Sequence, residues 1–240
     1  MKTKALLAGL ALLAITALPV HAETIGTATF TSDHCTDGCG PQAGGFGTIT
    51  GTDFGNGTID ISISLANGNT FANGGQQVVF GFNLVGNPTV TYSNLSSNLF
   101  TIPNVIPVNM QNAGALTADG FGVFEYGLEG TFNGASNLST LSFTLSAAGL
   151  SLASFAELSK NPPGDTQAFF GLDIFSGTTG KTGFVDVSGG GTPFNINPVP
   201  IPAVGTGLPG ILAGALFLFR WMRRRRDGLH LPEARRFAVA

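Results

Sequence analysis

The chain is 240 residues long, 43% hydrophobic and only 10% charged, with 35 glycines, two cysteines and a formal net charge of −3. So few cysteines exclude a disulfide-framework scaffold. The net charge hides an asymmetry: between Glu23 and Pro198 twelve acidic residues stand against two lysines and no arginine, a net charge of −10, while every arginine sits in the C-terminal tail. An acidic body excludes a nucleic-acid binder, which needs Lys and Arg against phosphate, and it fits simple solubility or divalent cations.

Met1 to Ala22 carries Lys2 and Lys4, an apolar run from Ala5 to about Ala17, then Pro19 and Val20-His21-Ala22. This is the pattern of a secretory signal peptide cleaved after Ala22. No cysteine adjoins that site, so an N-terminal lipid anchor is not expected. Residues 23–188 are then the exported body, one domain by length. At that size it buries roughly 70% of its extended surface without a dense disulfide framework.

Cys35 and Cys39 lie in Asp33-His34-Cys35-Thr36-Asp37-Gly38-Cys39. Two cysteines in an exported chain favour a disulfide. Closing so short a loop contributes about 2 kcal/mol and would staple an N-terminal loop to the first strand. A zinc site on His34, Cys35 and Cys39 competes, but it needs three or four convergent ligands, and His34 is adjacent to Cys35. Asp33-x-Cys35-x-Asp37-Gly38 imitates the opening of an EF-hand loop. Cys35 spoils the third position and Gly44 replaces the final Glu, which leaves only an irregular calcium site open. No metal or cofactor is expected.

The periodicity that follows is two. Ile59, Ile61, Ile63 and Leu65 alternate with Asp60, Ser62 and Ser64, which predicts a half-buried strand. Val78, Phe80, Phe82 and Leu84 repeat the pattern, as do Phe124, Tyr126 and Leu128; Leu141, Phe143 and Leu145; Phe170, Leu172 and Ile174; and Val185 and Val187. Turn signals separate them at Gly55-Asn56-Gly57, Asn67-Gly68-Asn69, Gly86-Asn87-Pro88, Asn133-Gly134 and Pro163-Gly164-Asp165. Short strands with regular turns predict an all-β, antiparallel β-sandwich of jelly-roll-like form. One short helix is expected over Ser151 to Lys160, where Ser154 and Glu157 have capping-box spacing.

Catalytic material is sparse. Glu125 and Glu129, four residues apart on one predicted strand, would stand roughly 13 Å apart, beyond the ~5–9.5 Å of glycosidase pairs. Carboxylates brought from different strands, such as Glu125 and Asp173, keep a hydrolase open. His34 is the body's only histidine, no Gly-x-Ser-x-Gly elbow occurs, and Asp53-Phe54-Gly55 reads as a turn. The expectation is that the protein is not an enzyme.

Residues 189–202 read as a glycine-rich, then proline-rich linker. Residues 203–222 read as a transmembrane helix: an apolar run from Ala203 to Phe219, extended by Trp221 and Met222 and just long enough to span. Arg220, Arg223, Arg224, Arg225 and Arg226 hold that end on the cytoplasmic side, with 223–240 as a basic cytoplasmic tail. Gly205-x-Gly207-x-x-Gly210 lacks the βαβ context of a dinucleotide fingerprint, while Gly210-x-x-x-Gly214 could serve a helix dimer.

A Pro-x-Pro motif, a short apolar span and an arginine cluster in that order resemble the PEP-CTERM sorting signal. The closest variant opens Val-Pro-Ile/Leu-Pro-Ala, matched by Val199-Pro200-Ile201-Pro202-Ala203. The segment Thr31 to Gly47 also resembles the start of many such exported proteins. The resemblance implies a Gram-negative bacterium, a membrane protease of the exosortase type as partner, and transient membrane association. It also implies delivery to the cell surface or extracellular matrix, with exopolysaccharide as a possible associate. Ile201 stands where the standard motif has Glu, and Asp227 to Ala240 extends past the usual end.

Overall fold

The computed structural model describes residues 23–35, 37–74, 78–102, 116–160, 166–188, 192–198 and 218–220. The chain divides after Val199 into two units. In the second, residues 218–220 are helical and exposed. The rest of the expected span lies outside the described residues, as do the cleavage site at Ala22, the motif at 199–203 and Arg223 to Arg226. Among the described residues no helix is long and apolar enough to cross a membrane.

The first unit is all-β. Its strands in chain order are β1 (Thr24–Phe30), β2 (Ser32–Cys35), β3 (Gly47–Asp53), β4 (Thr58–Leu65), β5 (Thr70–Asn73), β6 (Val78–Phe82), β7 (Thr91–Ser93) and β8 (Phe100–Thr101). Then come β9 (Leu116–Ala118), β10 (Gly122–Phe124), β11 (Tyr126–Gly130), β12 (Gly134–Ala135), β13 (Thr140–Ser146), β14 (Ala168–Phe175), β15 (Thr182–Ser188) and β16 (Asn195–Pro198). Every strand pairing among the described residues is antiparallel. One sheet runs β16-β1-β3-β4-β13-β7; the other runs β12-β5-β14-β6-β11-β8, with β15 on β14 and β2 on β15. β14 is the branch point: β15 follows one edge, while β6 takes Phe170 to Leu172 and β5 takes Ile174 and Phe175 on the other.

The two sheets share one apolar core. Ile49, Ile59, Ile61 and Ile63 enter it from the first sheet, and Phe71, Phe80, Phe82, Phe170 and Leu172 from the second. The rings of Phe80 and Phe143 meet across it at 6.0 Å. β4 alternates buried and exposed residues as its sequence dictates, because its outer face is wet. β6 and most of β14 are buried on both faces. The β9–β10 hairpin lays Leu116, Ala118, Phe121 and Phe124 over the outer face of the second sheet, against Val78, Ala168 and Phe184. Phe124 seats on Gly81 and Gly171, where a Cβ would come within 2.6 and 2.7 Å of its ring.

Three expectations are corrected. The helix over Ser151 to Lys160 is only a 3-10 turn, Leu152–Phe155. Ser159 and Lys160 spend their backbone N–H groups on Ala168 (2.8 Å) and Val123 (3.0 Å), so no helix can continue through them. At its start Ser151 N–H donates to Ser154 Oγ at 3.1 Å, so Ser151–Ser154 holds the turn rather than Ser154–Glu157. Second, the face drawn through Phe124, Tyr126 and Leu128 breaks at Glu125: Phe124 joins the hairpin's cluster, Tyr126 and Leu128 the main core. Third, the segment read as linker supplies a strand. β16 pairs with β1 from Thr24↔Pro198 to Thr27↔Asn195, and Phe194 is fully buried against Phe155 and Phe170, at 5.5 and 5.3 Å between rings.

Candidate functional site

Cys35 ends β2 at the margin of the second sheet, and its sulfur lies at disulfide distance from Cys39, with Cα atoms 5.4 Å apart. Asp33 Oδ1 accepts the backbone N–H groups of Cys35 (3.3 Å) and Cys39 (3.2 Å), which folds the loop back on the strand. The ligand atoms of Asp33, Cys35 and Cys39 lie within 4.8 Å of one another, but both sulfurs are engaged with each other. Alternation along β2 sends His34 to the opposite face, where its ring packs edge-on to Phe121 at 6.1 Å. His34 Nδ1 lies 3.9 Å from the exposed Asp119 carboxylate. His34 therefore cannot complete a site with the two cysteines.

The disulfide staples the loop to β2 rather than to the first strand, and hydrogen bonds tie the loop to two turns as well. Gln42 and the fully buried Asn69 and Ser176 form a polar hub. Gln42 Nε2 reaches Asn69 Oδ1 and Ser176 Oγ, both at 3.2 Å, and Ser176 Oγ donates to Cys39 O at 3.0 Å. Asn67 and Gly68 adopt positive φ, 56° and 74°, as the Asn-Gly signal demands. The turn they form carries the chain from one sheet to the other instead of closing a hairpin. At the rim, Lys181 Nζ pairs with Asp37 at 3.2 Å.

Four acidic residues are buried among those described: Asp53, Glu125, Asp173 and Asp186. Asp53 caps the β3–β4 turn, accepting Gly55 N–H at 2.7 Å and Leu152 N–H at 3.2 Å, so Asp53-Phe54-Gly55 is the turn its sequence suggests. Asp186 accepts a hydrogen bond from Ser32 Oγ. Asp173 stands where β14 passes from β6 to β5. Its Oδ2 accepts Gly74 N–H at 2.6 Å, while Oδ1 is buried without a hydrogen-bond partner. Burial pushes this carboxyl up to about 6, against the lowering effect of the Gly74 bond.

Glu125 is the centre of a second polar group. It occupies the break between β10 and β11, its side chain only 6% exposed, and Oε1 pairs with Lys160 Nζ at 3.0 Å. Its backbone N–H donates to Asn83 Oδ1 at 2.7 Å, and Asn83 Nδ2 donates to Leu158 O at 2.8 Å. With its carboxamide turned to the orientation that satisfies both neighbours, Asn87 Nδ2 donates to Leu84 O at 3.2 Å and to Glu125 Oε2. Tyr126 OH donates to Pro88 O at 2.7 Å. Burial, then Glu125 and Glu157, push that phenol up to about 12. Glu157 is held above the ordinary carboxylate range by burial and by Glu125, against Lys160.

Of the sequence candidates, Cys35 and Cys39 meet, whereas Glu125 and Glu129 act apart, Glu129 pairing in β11 with Thr101 of β8. Glu125 and Asp173 have separate partners, Lys160 and Gly74. Sequence reasoning missed Lys160 and Asn87. The signal available was an isolated lysine in a body holding only two, since a lone cation tends to meet a buried acid. No family model, curated protein or solved structure matches this chain.

Proposed function

We propose that the chain is an exported, non-enzymatic surface or extracellular-matrix protein, delivered by a signal peptide and by a PEP-CTERM-like tail cut by an exosortase-type membrane protease. Its β-architecture, two antiparallel sheets on one core, suits a jelly-roll-like sandwich used as a binding or structural module, with exopolysaccharide as the associate in the matrix. The observation that carries the reading is the pairing of Thr24 with Pro198. The folded body begins two residues after Ala22 and ends one residue before Val199, so both addresses can be removed without losing a strand. The buried acids support the non-enzymatic part, since each has an internal partner. Mass spectrometry of the mature C-terminus tests the proposal. A surface-fraction protein ending within 199–203 is expected, and one that retains Arg226 overturns processing.

A second reading is favoured by Ile201 in place of Glu and by the residues after Arg226. It is a permanently inner-membrane-anchored protein whose periplasmic β-domain binds a ligand or carbohydrate. Fractionation decides between the two: intact chain in the inner membrane supports anchoring, and processed chain outside it supports sorting.

A further inference from the structure

The outer face of the first sheet is a regular array of hydroxyls. The register of β1, β3, β4 and β13 sets Thr29, Thr48, Ser64 and Thr140 in one row across four strands. The next row is Thr27, Thr50, Ser62 and Ser142. All of these side chains alternate with buried positions and are themselves exposed or half-buried. We propose that this face binds ice, with the threonines of β1 and β3 at its centre.

The two rows form a lattice. Across the strands the side chains repeat every ~4.8 Å, and along each strand every ~6.8 Å. The prism face of hexagonal ice repeats at close to these two lengths. Threonine suits such a surface because its branched side chain is stiff at χ1, so the register of the backbone fixes where each hydroxyl and methyl stand. A twisted sheet stays flat only over a short distance, so a crystal face meets two adjacent strands best. β1 and β3 supply that pair, and Thr52 gives β3 a third outward threonine.

The chemistry of the face argues for a neutral occupant. β1, β3, β4, β7, β13 and β16 hold no lysine or arginine, and their only acids are Asp53, buried in its turn, and Asp60. Asp60 accepts the Thr144 hydroxyl at 2.6 Å. The surface is therefore close to neutral on a body of net charge −10, which disfavours a charged polymer of either sign. Phe30, Tyr92 and Phe143 all pack toward the core, so the face offers no ring on which a sugar could stack. Thr58 and Ser146 bond each other at 3.3 Å near β7. Among the described residues, no intramolecular hydrogen bond engages the hydroxyls of Thr27, Thr48 or Thr50, which leaves them for water.

Ice-affinity partition of the purified full-length chain tests the inference, which is independent of how the chain is delivered. Ice is grown slowly from a dilute solution, and the protein in ice and in liquid is measured. Wild type and Thr178→Lys, altered in the exposed β14–β15 turn, are expected to enter the ice. Thr50→Lys puts a long charged side chain at the centre of the lattice and is expected to stay in the liquid. Thr48→Lys, at an exposed position, should do the same, and an unchanged circular dichroism spectrum shows that misfolding is not the cause. Exclusion of the wild type from ice overturns the proposal, as does equal partition of wild type and folded Thr48→Lys. Retention on an insoluble neutral glucan together with exclusion from ice also overturns it and assigns the face to a polysaccharide.

Discussion

Gln42 and Asn69 exchange their amide hydrogen bonds: Asn69 Nδ2 donates to Gln42 Oε1 at 2.7 Å, and Gln42 Nε2 donates to Asn69 Oδ1 at 3.2 Å. Neither side chain can be replaced by a carboxylate of the same shape without losing a donor. Asn69→Asp leaves Gln42 Oε1 without that bond and buries a charge. It is expected to cost roughly 2–3 kcal/mol in urea unfolding, against a few tenths for a substitution at the exposed Thr178.

The cysteine pair closes a short loop, so its effect through the unfolded chain is modest. Cys35→Ser with Cys39→Ser should lower stability by about 2 kcal/mol and leave the β-sheet circular dichroism spectrum unchanged. Reduction of the wild type should produce the same shift in urea midpoint. A global loss of structure would mean that the three-loop hub cannot hold without the bridge.

Asp173 gives the protein a pH dependence of definite sign. Its folded pKa, about 6, lies above its unfolded value of 3.8, so the folded state binds the proton more tightly. The associated stability is complete below pH 3.8 and is lost as the pH rises through 6. The span corresponds to roughly 3 kcal/mol at most. Asp173→Asn keeps an acceptor for Gly74 N–H, so it should raise stability at pH 7 and flatten the profile between those two values. Equal pH slopes in variant and wild type would contradict the assignment.

Gly171 leaves room for the ring of Phe124, so Gly171→Ala should push the hairpin off the second sheet and cost roughly 1–3 kcal/mol. Thermal unfolding measures the loss. Phe124→Leu in the same background should recover part of it, since the smaller side chain relieves the clash.

Phe194 makes the stretch after Ser188 part of the fold. A chain ending at Ser188 should be markedly less stable than one ending at Pro198, and Phe194→Ala should cost roughly 3–5 kcal/mol. Urea midpoints of the three proteins decide it. Equal midpoints for the two end points would return the segment to linker status.

What was legible in the sequence follows from burial on one face. β4 and β13 carry isoleucines, leucines and a phenylalanine alternating with polar residues; the outer face of β4 is wet, and that of β13 is partly so, with Thr144 buried. β1 and β3 alternate too, but their apolar positions include Gly26, Ala28 and Gly51. Small residues there admit Leu152 and Phe194 from elsewhere, so periodicity fails where the packing partner is distant in sequence. β16 was hidden for another reason: Asn195, Asn197 and Pro198 have turn and linker character, and only pairing with β1 makes them a strand. The cysteine pair was readable because it is local. Glu125, Asn87 and Lys160 were not, because three separate segments bring them together.

The pairing of β1 with β16 also sets an order of events. The first strand of the body to emerge during synthesis waits for the last, so its edge stays open until nearly the whole chain is available. Such a contact has the largest possible loop to close, and topologies built on distant pairings form slowly. Until β16 arrives, the edge of β1 is a template for any extended segment nearby. Completing the first sheet is thus a test of chain length built into the fold. A prematurely terminated molecule keeps an open edge and remains vulnerable to proteases and to mispairing, whereas a full-length one closes it.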